Sequence, residues 1–262
     1  MEKTMDIFQK RKITYTLVFL SLILIFCGAS LVTQFHLAEG IQSFPAALHW
    51  IFSNLIPDET AMERLPKILD KLVETALLSV AVTVLAGICA FFFSLLGSGI
   101  TKIHWSINRL VRIVAAFFRN VPDVVWAMLL MFSFGQNILT GFFALFFTTF
   151  GLLTRAFIET IDEVSSNCVE ALEATGGFIH VVFQGILPSS LPGVITWVLY
   201  MIETNIRSST LIGILTATGI GYLFDLYYKR LDFSSASLVV LSIVVLVLVI
   251  EGVSNKIRKV IL

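Results

Sequence analysis

Apolar runs of about twenty residues, the length that carries a helix across a bilayer, alternate along this chain with shorter charged stretches. They cover about 13–33, 74–96, 112–135, 138–158, 189–213 and 236–254. The pattern predicts an all-α membrane protein with six transmembrane helices. Between the first two runs lies the one long loop on the outer side, 34–73. Its "FPAALHWIFSNLIP" stretch, with Trp50, reads as an amphipathic segment lying on the membrane interface. The organisation that follows is an N-terminal segment and first helix over 1–36, an outer loop over 37–73, and a five-helix core over 74–262 containing a cytoplasmic loop at 161–188. No internal repeat, low-complexity tract or soluble domain is evident.

Charge in the connecting segments sets an expected orientation. Lys3, Lys10, Arg11 and Lys12 precede the first run; Lys102, Arg109, Arg112 and Arg119 cluster between the second and third; Lys256, Arg258 and Lys259 follow the last. On the other side, Arg64, Lys67, Lys71, Lys229 and Arg230 are offset by Asp58, Glu59, Glu63, Asp70, Glu74, Asp225 and Asp232. The positive-inside rule puts both termini in the cytoplasm of a multi-pass protein. The first run is too long for a signal-peptide core, and Phe26 before Cys27 is too bulky for a lipoprotein cleavage site, so an uncleaved helix is expected.

Composition agrees: 57% of the 262 residues are apolar, 23 are phenylalanine, and mean hydropathy is +0.91, where soluble domains sit near 45–50% apolar. Eighteen basic against eighteen acidic residues argue against nucleic acid as a partner. Cys27, Cys89 and Cys168 lie far apart, and His36, His49, His104 and His180 form no HxxxH or HxxE pair, so no metal site is expected. No G-x-x-x-x-G-K-[ST] loop occurs, so this chain has no ATP site of that kind. Ser208 and Ser209 have no His or Lys nearby in sequence, and no catalytic residue is assigned.

One connection is unusual. From Glu159 to Pro188 there is no Lys or Arg, while Glu159, Asp162, Glu163, Glu170 and Glu173 are acidic. Asn167 with Glu170 three residues on resembles a capping box, Gly176-Gly177 supplies a left-handed stop, and Pro188 with Pro192 suits a following helix start. On the residues alone this is either an ordinary tight loop or a docking surface for a soluble cytoplasmic partner.

Polar residues inside apolar runs are candidates for function. Arg207 lies well along the fifth run, with Glu203 one turn earlier and Asn205, Ser208, Ser209 and Thr210 around it. Arg matches an oxyanion with forked hydrogen bonds, so these residues are assigned to a translocation pathway or gate; simple neutralisation of Arg207 by Glu203 stays open. Arg119, Pro122 and Asp123 form a candidate hinge at the inner end of the third run. Gly213, Gly219 and Gly221 read as close packing or a break in a re-entrant turn.

"EAL...G...ILP" resembles the EAA signature of ABC-importer permeases. Glu170, Ala171, Gly176, Leu187 and Pro188 match, Leu172 replaces the second Ala, Gly177 follows, and the spacing from Gly176 to Pro188 is one residue short. "RNVPDVVWAML" (119–129), "GLLTRAFIETID" (151–162) and "ETNIRSSTLIGILTATGIG" (203–221) are similar to segments of phosphonate/phosphite-type permeases, in order, over roughly residues 70 to 255. Thr216 and Thr218 stand where that family has glycines, and "ALFFTTFG" lacks a His that often precedes the Thr. The resemblance implies a type I ABC-importer fold in a bacterial inner membrane, with the EAA loop as a coupling helix. It implies a homodimer working with two copies of an ABC ATPase that binds ATP-Mg, and an extracytoplasmic substrate-binding protein. Alternating access would carry a phosphonate, phosphite or related anion. Competing readings are an ion-coupled carrier with Glu203 as proton site and a membrane-embedded enzyme.

Overall fold

The computed structural model describes residues 7–100, 104–164 and 181–261. The chain divides into two compact units, Met1–Ser53 and Asn54–Leu262. The first holds α1 (Ile7–Thr33), which carries Lys10, Arg11 and Lys12 near its start and is apolar over most of the rest, and most of α2 (Leu37–Asn54), which carries Pro45 inside it. Thr14, Thr16, Ser21 and Thr33 turn their hydroxyls back onto carbonyls three or four residues earlier. A helix crossing hydrocarbon has to satisfy its polar groups internally in this way.

The second unit contains α3 (Glu59–Met62), α4 (Leu65–Gly97), α5 (Trp105–Asn120), α6 (Asp123–Phe134) and α7 (Ile138–Val164). A π-helical turn, Val181–Ile186, leads into α8 (Leu187–Thr216), followed by α9 (Gly219–Lys229) and α10 (Phe233–Ile261). Among the described residues every regular element is helical. Five helices are long and apolar enough to cross a membrane, and α5 with α6 makes a sixth if that bent pair is one span.

The bend revises the third expected span. Instead of one helix over 112–135, α5 and α6 meet at 88°. Val121 is extended, as a residue before proline prefers, and Pro122 offers no N–H to continue the ladder. The elbow is then held from within: Trp126 Nε1 donates to the Phe118 carbonyl at 3.4 Å, and Phe147 of α7 packs on both rings at 5.0–5.1 Å. Two other differences concern prolines. Pro66 at the first turn lets α4 begin at Leu65 and take in Lys67, Asp70, Lys71 and Glu74. Pro188 sits in the first turn of α8, but Pro192 lies inside the helix. Ser189 and Ser190 there donate to the carbonyls of Gly185 and Ile186.

α7 is the central post, packed against α4, α5, α6 and α8. Ala86 and Ala90 of α4 meet Leu153 and Phe157 of α7 and Val194 and Met201 of α8. Val82, Ala144, Leu145 and Ile212 continue that seam towards α6. Because lipid is as apolar as leucine, close van der Waals packing over small residues, rather than expulsion from water, holds such helices together. A separate cluster of Ile68, Leu72, Ile220, Leu223, Tyr227 and Val239 joins α4, α9 and α10.

Candidate functional site

α8 presents two polar faces. On one, the Asn205 amide donates to Thr83 Oγ1 of α4 at 2.8 Å and to Thr149 Oγ1 of α7 at 2.9 Å. Ser79 of α4 reaches the Asn205 carbonyl at 3.3 Å and Ser209 Oγ at 3.1 Å. All of these side chains are buried. A buried amide costs stability unless it is bonded, so this group ties three helices into one register. Of the residues expected along a pathway, Asn205 and Ser209 are therefore part of the helix packing.

The other face carries charge. Arg207 Nη2 donates to Glu203 Oε1 at 3.0 Å, one turn apart, with the arginine side chain 53% exposed and the glutamate 14%. Thr204 and Thr210 return their hydroxyls to the helix, and Ser208 is half-buried. At 1.5 Å per residue Arg207 stands about 30 Å from Leu187. It lies within a segment apolar enough to span, yet within the second unit its guanidinium is uncovered.

The far end of α8 turns back sharply. Ala217 closes the helix in the left-handed region (φ 55°), and Thr216 Oγ1 lies 2.8 Å from Thr218 Oγ1. Gly219 follows at φ +59°, where a side chain would be strained and would strike Thr75 Oγ1. That hydroxyl instead accepts from Ile220 N at 2.9 Å, tying the start of α9 to α4. Gly213 and Gly221 let the two helices touch backbone to backbone, since a Cβ on Gly221 would run into the Thr210 carbonyl. Beside this hairpin opens a cleft of about 330 Å³ whose polar lining is Glu74, Thr75, Ser209 and Thr218. Glu74 there pairs with Lys71 at 2.6 Å.

At the opposite end, the expected hinge residues flank the bend. Arg119 lies in the last turn of α5, Pro122 caps the start of α6, and Asp123 accepts from Val124 N at 2.9 Å. Among the described residues no ion pair joins Arg119 to Asp123. Gly151 of α7 seats the α5 backbone, because a Cβ would come within 2.6 Å of Arg119 N and 2.8 Å of the Ala115 carbonyl. Of the residues expected to form a coupling loop, Glu170, Ala171, Leu172, Gly176 and Gly177 lie outside the described residues; Leu187 and Pro188 open α8.

Two acidic residues of the 159–173 run are engaged within the protein, a role that sequence reading missed. Glu159 pairs with Arg155 on its own helix at 2.7 Å. Asp162 accepts from Ser98 Oγ at 2.6 Å, Gly99 N at 2.9 Å and Arg112 Nη2 at 3.0 Å. The partners of Asp162 lie too far off in sequence for periodicity to reveal them.

Comparison with known proteins adds identity to this geometry. A family model described as "binding-protein-dependent transport system inner membrane component" matches residues 83–259. The chain is 29% identical over 191 residues to the phosphate-import permease protein PhnE of Mycolicibacterium smegmatis, covering 72% of this chain but only 36% of that protein's own length. It is 25% identical over 189 residues to the phosphite transport system permease protein PtxC of Stutzerimonas stutzeri, covering 72% of this chain and 69% of the relative. A chain of the inward-facing MetNI methionine ABC transporter superposes with a TM-score of 0.66 at 19% identity, covering 78% of this chain and 99% of that one. At that identity the likeness speaks for the fold.

Proposed function

Because the chain belongs to the family of binding-protein-dependent transport system inner membrane components, we propose that it is the membrane-spanning subunit of an ATP-driven importer for an oxyanion of phosphorus, phosphonate or phosphite in type. Membership brings an ATPase and a substrate-binding protein as partners and the inner membrane as location. The finer reading is a pair of these chains with two ATPase copies, both termini cytoplasmic, and ATP-Mg held and hydrolysed by the partner subunit. The connection between α7 and α8, with Glu170, Ala171, Leu172, Gly176 and Gly177, docks on that ATPase and passes its closure into the helices.

The observation that carries the transport reading is the two-faced α8. Its Asn205 face is locked to α4 and α7, while Arg207 is 53% exposed on the other side of an apolar segment. A guanidinium facing hydrocarbon is costly, so such a face lines a water-filled path or meets another chain. A second copy across a shared axis supplies both conditions. Arg207 then offers a forked donor to a tetrahedral oxyanion in transit, with Glu203 holding it between passages. The relatives named for phosphate import and phosphite transport support this class of cargo.

Ligand-stimulated ATP hydrolysis tests the proposal. Purified complex in lipid is expected to raise its ATPase rate when the binding protein loaded with phosphite is added. A rate indifferent to the loaded binding protein contradicts it.

A further inference from the structure

Where α4, α5 and the Val164 end of α7 converge, the described residues form a closed polar clamp. Asp162 lies on α7 two residues before Val164. One carboxylate oxygen takes Ser98 Oγ and Gly99 N at the end of α4, and the other takes Arg112 Nη2 of α5 at 3.0 Å. Arg112 also donates through Nε to the Gly97 carbonyl at 3.0 Å. Asn108 Nδ2 adds bonds to the Gly97 and Ser98 carbonyls at 2.6 and 2.9 Å. The last carbonyls of a helix lack internal partners and carry partial negative charge, so a guanidinium and an amide here cap α4 as well as joining it to α5.

Packing makes the junction stiff. A Cβ on Gly97 would lie 2.6 Å from Ile158 Cδ1 of α7 and 2.9 Å from Val111 Cγ1 of α5. Glu159 behaves differently: its partner Arg155 is on the same helix, and both side chains are more than half exposed. A pair of that kind moves with α7 and transmits nothing, whereas Asp162 cannot shift without pulling on α4 and α5. α5 in turn ends at the Val121–Pro122 bend.

We propose that Asp162 is the positioning residue that passes displacement of the Val164 end of α7 to α4 and α5, with Arg112 as its obligatory counter-charge. This rests on the reading that the connection between α7 and α8 docks on the ATPase.

The test uses the full complex with ATPase and binding protein in proteoliposomes, with phosphite as probe. Asp162→Asn, Arg112→Gln and the double variant are compared for ATPase co-purification, ATP hydrolysis without binding protein, and phosphite imported per ATP hydrolysed. The single variants are expected to keep the ATPase and the unstimulated rate while import per ATP falls about tenfold. The double variant should lose no more than either single one, since one coupling is broken in all three. Unchanged import per ATP in Asp162→Asn, or losses that multiply in the double variant, overturns the proposal. Should either variant fail to assemble, Ser98→Ala removes one donor and spares the ion pair. It is expected to lower import per ATP about twofold, and an unchanged ratio overturns the proposal. A wild-type complex without ATP-driven import fails at an earlier step and overturns the permease reading itself, and with it this proposal.

Discussion

Asn205 of α8 donates its amide to Thr83 of α4 at 2.8 Å, deep between helices, while Arg207 stands on the uncovered side of the same helix. Two residues along a helix turn through about 200°, at 3.6 residues per turn, so locking Asn205 inward fixes where Arg207 points.

Asn205→Ala is therefore expected to loosen the three-helix junction. It strips the partners of two buried hydroxyls and should cost about 1–3 kcal/mol. Chemical unfolding in detergent measures this, and Ser208→Ala, half-buried on the same turn, should stay within about 0.5 kcal/mol of wild type.

Arg207→Gln is expected to do the opposite. Its pair with Glu203 has an exposed arginine, and such pairs contribute about 0–1 kcal/mol, so stability should hardly change. Phosphite uptake should fall by about tenfold or more, the scale of a lost charge-assisted bond. Arg207→Lys should recover only part, because an ammonium lacks the fork. Equal uptake by all three forms removes Arg207 from the anion's path.

The turn between α8 and α9 depends on Gly221. A methyl group there meets the Thr210 carbonyl and lies 2.8 Å from Ile214 N, and backbone cannot step aside. Gly221→Ala should cost about 1–3 kcal/mol or more in unfolding assays. Gly87→Ala is the control, since its nearest neighbour would be a side-chain methyl at 3.6 Å, ordinary contact.

Acid should weaken the junction of α3, α9 and α10. Burial alone would raise the Asp232 carboxyl, but the Ser235 N–H and the Arg64 guanidinium outweigh it and hold it below the ordinary value of 3.8. Its contribution is thus fully present above that value and lost as pH falls through the lowered one. Thermal unfolding from neutral pH down to about pH 3 should show this loss, and Asp232→Asn should flatten that part of the curve.

The helical spans were legible because each apolar run is long enough to need a membrane. The 88° elbow was half legible: Pro122 marked the place, but hydropathy records composition and not direction, so 112–135 read as one span. α8 was legible as a polar helix in an apolar stretch, yet spacing could not say which of its two polar faces was covered. That depends on Thr83 and Thr149, supplied by other helices. Asp162 read as one more acid in a charged run for the same reason, as Ser98 and Arg112 lie 64 and 50 residues away.

Uptake into proteoliposomes tests the central claim most directly. The chain is co-reconstituted with its ATPase and binding protein, ATP-Mg is supplied on the ATPase side, and phosphite, methylphosphonate and inorganic phosphate are offered on the other. ATP-dependent accumulation of at least one of these anions, unaffected by an ionophore, is the predicted result. Accumulation that proceeds without the ATPase and collapses with the ionophore would make the chain an ion-coupled carrier and contradict the account.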